Sequence, residues 1–159
     1  MCCNGVIFAD VKLQRGDNIS RLRSLGLPTA TARSATRAPL FTQPCAALDG
    51  CRCRIYDERP KHCRHFDCLL LKNVTAGKIK PAEALRKIKM ARKLADKVLR
   101  LVRRLGNSEE TVALSVRFRQ VTQNMTQEQL DPKAARTYGK LTLAVHNLNV
   151  LISQSFYPG

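Results

Sequence analysis

The clearest hydrophobic pattern lies in the second half of the chain. Between Pro81 and Gly106, the apolar positions Leu85, Ile88, Ala91, Ala95, Val98, Leu99, Val102 and Leu105 recur at helical spacing. Arg86, Lys89, Lys93, Lys97, Arg100 and Arg104 fall on the opposite side. This period predicts an amphipathic helix over 81–105, with proline in its first turn and glycine stopping it. A second helix is expected over 109–125, capped by Ser108 and carrying Glu109 and Glu110 in its positive first turn. Its candidate core positions are Val112, Val116 and Met125, with Leu114, Phe118 and Val121 nearby. A third helix is expected to begin at Asp131-Pro132, a cap followed by proline at the first helical position. There Ala134, Tyr138, Leu141, Val145, Leu148 and Ile152 alternate spacings of four and three, the narrow seam of helices packed nearly antiparallel. The short connections favour a compact bundle or hairpin.

The first half is patterned differently. Val6, Phe8, Val11 and Leu13 suggest a strand over Gly5 to Leu13 with one slip or bulge. Asp17 to Gly26 reads as a short helix capped at Asp17, and residues 28–39, rich in Thr, Ala, Ser and Arg, as a surface loop. Cys53 to Tyr56 is expected to be a short strand. A helix is expected from Pro60 towards Lys72, carrying Cys63 and Cys68.

Composition adds two facts. Aromatic residues make up 5% of the chain and Trp is absent, so the core rests on Leu, Val, Ile and Ala. The net charge is +16, which makes an anionic partner such as RNA, an anionic membrane or an acidic protein a plausible neighbour and says nothing about fold. The basic face of 81–105 could lie along a phosphate backbone, although no stacking aromatics interleave it. No apolar run approaches the roughly 18 residues of a membrane span, and no secretory signal is visible. The expected compartment is therefore the reducing cytoplasm.

That compartment governs the reading of seven cysteines, Cys2, Cys3, Cys45, Cys51, Cys53, Cys63 and Cys68, all before residue 69. In a reducing compartment such a cluster favours metal binding over disulfides. Thiolate sulfur is a soft, charged donor that suits zinc and iron–sulfur centres, and four thiolates close a structural zinc site. Seven sulfurs exceed one tetrahedral site, which leaves two sites or a cluster open. On a continuous helix Cys63 and Cys68 would point roughly 140° apart, so sharing one metal requires an irregular turn between them or a helix that starts after Cys63; otherwise they serve different centres. Arg52, Arg54, Arg59 and Arg64 lie among the cysteines and could offset thiolate charge. His62 and His65 are lesser ligand candidates, while His146 and Asp67 are read as non-ligands. No nucleophile elbow, phosphate loop or C-x-x-C pair is present, which weighs against an enzyme, and no catalytic residue is assigned.

Cys45-Ala46-Ala47-Leu48, Cys53-Arg54-Ile55-Tyr56 and Arg59-Pro60-Lys61-His62-Cys63-Arg64-His65-Phe66-Asp67-Cys68 resemble the CxxCxxCC zinc- or iron-chelating domains of bacterial cysteine-cluster proteins. Cys2-Cys3-Asn4-Gly5 looks like the end of that pattern's opening, here truncated, as a start assigned too late would leave it. The resemblance covers about residues 2–70 and implies metal chelation. The expected organisation is a cysteine-rich zinc- or iron-chelating domain over 1–75 and a helical region over 76–159. The expected fold class is α+β and mostly helical, an irregular metal-binding head with little strand followed by about three helices.

Overall fold

A computed structural model describes residues 1–30, 38–127 and 131–157. The fold is α+β and mostly helical. It divides into two compact units, one of residues 1–66 with 109–116, the other of residues 67–108 with 117–159. Among the described residues no helix is long and apolar enough to cross a membrane.

The first unit is built from very short elements. Strands β1 (Asp10–Lys12), β2 (Thr29–Ala30) and β3 (Leu40–Thr42) form an antiparallel sheet in the order β1-β3-β2, with Phe41 opposite both Val11 and Thr29. The expected strand over 5–13 shortens to β1. Its buried side chains are Ile7, Val11 and Leu13, with Val6 and Phe8 half-buried, so the slip falls before β1. Helix α1 (Ile19–Ser24) starts one residue later than expected. Asn18 is its cap and accepts the Arg21 N–H at 2.9 Å, while Asp17 is taken by other partners. Residues 31–37 of the expected loop lie outside the described residues, and Thr29 and Ala30 are strand rather than loop.

Strands β4 (Leu48–Asp49) and β5 (Arg52–Cys53) form a hairpin. Gly50 takes φ 56° at the first position of the two-residue turn, the conformation that such a turn assigns to glycine, and this lifts Cys51 to the exposed tip. The expected strand over 53–56 ends at Cys53. Tyr56–Glu58 is a 3-10 turn, which the Arg21–Glu58 ion pair at 2.6 Å ties to α1. The unit's core is Val11, Leu13, Leu22, Leu27, Phe41, Ala47 and Ile55, with Cys45, Cys53 and Cys63 packed at its edge.

The expected single helix from Pro60 is two. α2 (Lys61–His65) ends where Phe66 turns extended, and α3 (Leu69–Thr75) starts afresh with Cys68 as its cap. Cys68 Sγ accepts the Leu71 N–H at 3.4 Å. Asp67 and Cys68 thus interrupt the ladder.

The second unit is held by two long helices, α4 (Pro81–Arg104) and α6 (Pro132–Ser155). Both begin with proline in the first turn, as expected, and Asp131 caps α6 by accepting the Lys133 and Ala134 N–H groups at 2.7 and 3.0 Å. Ala91, Ala95, Val98 and Val102 of α4 and Leu141, Ala144, Leu148 and Ile152 of α6 are buried. Alanines let helix axes approach closely, and the buried area supplies the hydrophobic stabilisation that the short elements lack. Leu85, expected on the apolar face, is instead exposed, and Ala84 and Leu101 are buried.

Helix α5 (Leu114–Gln127) begins five residues after the expected start. The reason is tertiary. Residues 109–116 belong to the first unit, where the Leu114 N–H donates to the Gly5 carbonyl at 2.9 Å and Ala113 is buried. Gly5 sits at φ 75°, and a Cβ there would stand 3.1 Å from Ala113 Cα, so both its backbone angle and its space require glycine. Ser108 therefore does not open α5. The core positions are Ala113, Leu114 and Val121, not the expected Val112, Val116 and Met125, which are half-buried.

Candidate metal centre

Four separate segments of the first unit deliver cysteines to one place. The N-terminal segment brings Cys2 and Cys3. The turn after β3 brings Cys45, the β4–β5 hairpin brings Cys51 and Cys53, and α2 brings Cys63. All six line a cavity of about 550 Å³ whose walls are otherwise largely apolar, among them Phe8, Val11, Phe41 and Ile55. Backbone hydrogen bonds fix three of these arrivals. The Cys45 N–H donates to the Cys3 carbonyl at 2.7 Å, the Leu48 N–H to the Cys45 carbonyl at 2.9 Å, and the Arg54 N–H to the Ala47 carbonyl at 2.9 Å. The Arg54 guanidinium also donates to the Ala46 carbonyl at 2.6 Å, so this arginine braces the loop rather than facing the sulfurs.

Helix α2, only five residues long, is held from outside. Asp17 accepts the Lys61 N–H at 2.9 Å through one carboxylate oxygen and the Gln14 N–H at 2.8 Å through the other. Its carboxylate thus caps α2 from another part of the chain. Phe66, at the end of α2, meets Phe8 edge-on at 5.2 Å between ring centres. Replacing Asp17 with alanine is expected to destabilise the first unit by about 1 kcal/mol, the usual cost of losing a cap, with Asp17→Asn falling between wild type and alanine because its amide keeps one acceptor oxygen of the two that Asp17 uses. Denaturant titration of the three proteins measures this.

None of the seven cysteines is joined in a disulfide. Among them Cys3, Cys45, Cys53 and Cys63 form the inner group, each close enough for charge on one to be felt by another. Burial pushes the Cys63 thiol up to about 12, and charge on Cys3, Cys45 and Cys53 pushes in the same direction. Burial likewise raises Cys3 and Cys45, while the Arg59 guanidinium opposes the rise at Cys3 and Cys63. Without a cation the cavity therefore favours protonated sulfur.

Among the described residues no group of three or more His, Cys, Asp or Glu side chains is placed so that it could hold a metal ion as it stands. The donor set nonetheless fits a thiophilic cation. Soft sulfurs gather around an apolar cavity, and a cation is what would let such thiols give up their protons there. Gln43, 2% exposed, also lines the cavity, and its side-chain oxygen has no hydrogen-bond partner among the described residues. A buried acceptor of this kind is suited to a hydrogen-bond donor within the cavity.

Of the residues singled out from the sequence, Cys68 lies apart from the cavity lining, as the cap of α3. His62 lines the cavity, whereas His65 is exposed and His146 is exposed on α6. Arg52 and Arg59 line it too, with Arg59 stacked 3.5 Å over the Tyr56 ring, and Arg64 is exposed. Sequence reasoning missed Gln43 and the anchoring role of Asp17. The placement of Gln43-Pro44 directly before Cys45 was the available signal for the first; nothing local marked the second.

A family model described as "CxxCxxCC: Putative zinc- or iron-chelating domain" matches residues 1–95. No curated protein and no solved structure matches the chain.

Proposed function

The chain belongs to the CxxCxxCC family of zinc- or iron-chelating domains, and we propose that Cys3, Cys45, Cys53 and Cys63 are the ligands of a tetrathiolate site that staples the first unit. The observation that carries this reading is the gathering of these four thiols, from distant parts of the chain, around one cavity within reach of each other's charge. Four thiolates complete the coordination of zinc and leave no position for a substrate, so the role is structural chelation rather than catalysis. A bound ion cross-links segments whose strands are two or three residues long, and its binding energy becomes folding energy. Four thiolates around a divalent cation carry a net negative charge, and Arg52 and Arg59 at the cavity offset part of it. Cys68 is assigned to capping α3, not to the ion. In the reducing cytoplasm the thiols stay available to metal.

A second reading, an iron–sulfur centre, is favoured by Cys2 and Cys51, which put six sulfurs around a single cavity. Anaerobic purification with elemental analysis and a visible spectrum separates the two. Colourless protein with one zinc per chain is the expected result. A brown chromophore with iron and acid-labile sulfide selects the cluster. Protein that retains no metal and takes up neither on reconstitution overturns both.

A further inference from the structure

Helix α4 turns one face to α6 and another to solvent, and a row of basic residues runs along the solvent face. Arg86, Lys89, Lys93, Lys97, Arg100 and Arg104 are all exposed. Their spacings of three, four, four, three and four residues keep them within about 80° of arc over a rise of about 27 Å. The row is therefore straight along the helix rather than wound around it. None of the six takes an ion pair among the described residues. Of the acidic residues of α4, Glu83 pairs with Lys87 at 3.5 Å, and Asp96, exposed, flanks one edge of the row.

A row of like charges repels itself, and its partner is the surface that supplies opposite charge at a similar repeat. The features of α4 narrow the choice. Insertion into a bilayer needs an apolar helix face, and that of α4 is buried, with Ala91, Val98 and Val102 fully covered. A protein interface needs a desolvated apolar centre, whereas the exposed apolar side chains of α4, Leu85 and Met90, stand on opposite flanks of the row and form no continuous patch. Single-stranded nucleic acid is gripped through aromatic stacking, and α4 contains no aromatic residue. A duplex is a stiff body of high, regular phosphate charge density, whose backbone a rigid basic helix face can meet without reading sequence.

We infer that the Arg86–Arg104 row of α4 is a docking surface for the phosphate backbone of double-stranded nucleic acid. This is independent of which metal the first unit chelates. Contacts come from guanidinium and ammonium groups to phosphate oxygens, so affinity is sequence-blind and falls with salt. Six contacts give a slope of about −5 in log affinity against log salt, or roughly a 10³-fold loss between 50 and 200 mM.

The test uses the full chain as purified, with 24-base-pair DNA and RNA duplexes of mixed sequence followed by fluorescence anisotropy across that salt range. Lys89→Glu/Lys93→Glu/Lys97→Glu is expected to flatten the slope to about −3 and weaken binding more than tenfold at 100 mM salt. The control, Lys133→Glu/Arg136→Glu/Lys140→Glu on α6, makes the same change in net charge and is expected to keep the wild-type slope. Circular dichroism checks that both variants are folded, and the milder Lys89→Gln/Lys93→Gln/Lys97→Gln replaces the first if it is not. A stronger response to either the DNA or the RNA duplex identifies the natural form. Equal losses in the α4 and α6 variants, no binding to either duplex at 50 mM salt, or binding only to vesicles containing anionic lipid overturns the inference.

Discussion

Replacing Cys63 with serine is expected to strip the chain of most of its metal and to loosen the whole first unit. Cys63 is the sulfur on which Cys3, Cys45 and Cys53 all act, and α2 presents it at the edge of the core. A serine hydroxyl is a hard, protonated donor and does not replace a thiolate. Structural zinc sites contribute on the order of 12 kcal/mol, so one ligand of four represents about 3 kcal/mol, or roughly a hundredfold in affinity. Competition against a chromophoric chelator measures that loss. Cys68→Ser, which alters only the cap of α3, is expected to leave metal affinity unchanged. A hundredfold loss there with none at Cys63 would sink the tetrathiolate assignment.

The pH dependence of the same site follows from burial. Cys63, raised to about 12, and the raised Cys3 and Cys45 hold their protons at neutral pH when no cation is present. Metal must displace them, so loading releases protons and affinity climbs with pH. The metal-free fold obeys the opposite sign. A thiol whose folded value lies above its unfolded one stabilises the fold fully at low pH and loses that contribution as pH rises from about 9 towards 12. Proton release during zinc titration in weak buffer measures the first effect, and alkaline unfolding of the chelator-treated protein measures the second.

Leu141→Ala is expected to destabilise the second unit by about 3 kcal/mol, a large share of the 5–15 kcal/mol of a typical domain. Leu141 is fully buried in the seam of α6, in the unit where α4 and α6 make the most extensive helix contact. Truncation removes transfer energy and leaves a cavity between helices that are already closely approached through alanine. Leu143, two residues on and 60% exposed, provides the contrast: Leu143→Ala is expected to fall within about 0.5 kcal/mol of wild type. Urea unfolding followed by far-ultraviolet circular dichroism reports on both, because α4 and α6 dominate the helical signal.

The long helices were legible because their information is local. Pro81 and Gly106 bracket α4, Asp131-Pro132 opens α6, and a period of 3.6 repeated over 24 residues leaves little ambiguity. The start of α5 was not legible. Ser108 with Glu109 and Glu110 has all the local marks of a helix entry, yet the packing of residues 109–116 against Gly5 outweighs them. The break between Cys63 and Cys68 was visible only as a geometric conflict in a continuous helix; its resolution, Cys68 as a cap, came from the fold.

The sequence by itself determined the chemistry, a cluster of soft sulfur donors in a strongly basic chain, and the helices whose apolar period is long enough to stand alone. Tertiary structure alone decided which sulfurs share a cavity, that Asp17 steadies α2 from more than forty residues away, and where the short strands pair. The physical reason is the range over which each is fixed. A helix closes its hydrogen bonds within four residues, whereas strands of two or three residues and a cavity built from four segments exist only through contacts between positions far apart in the chain.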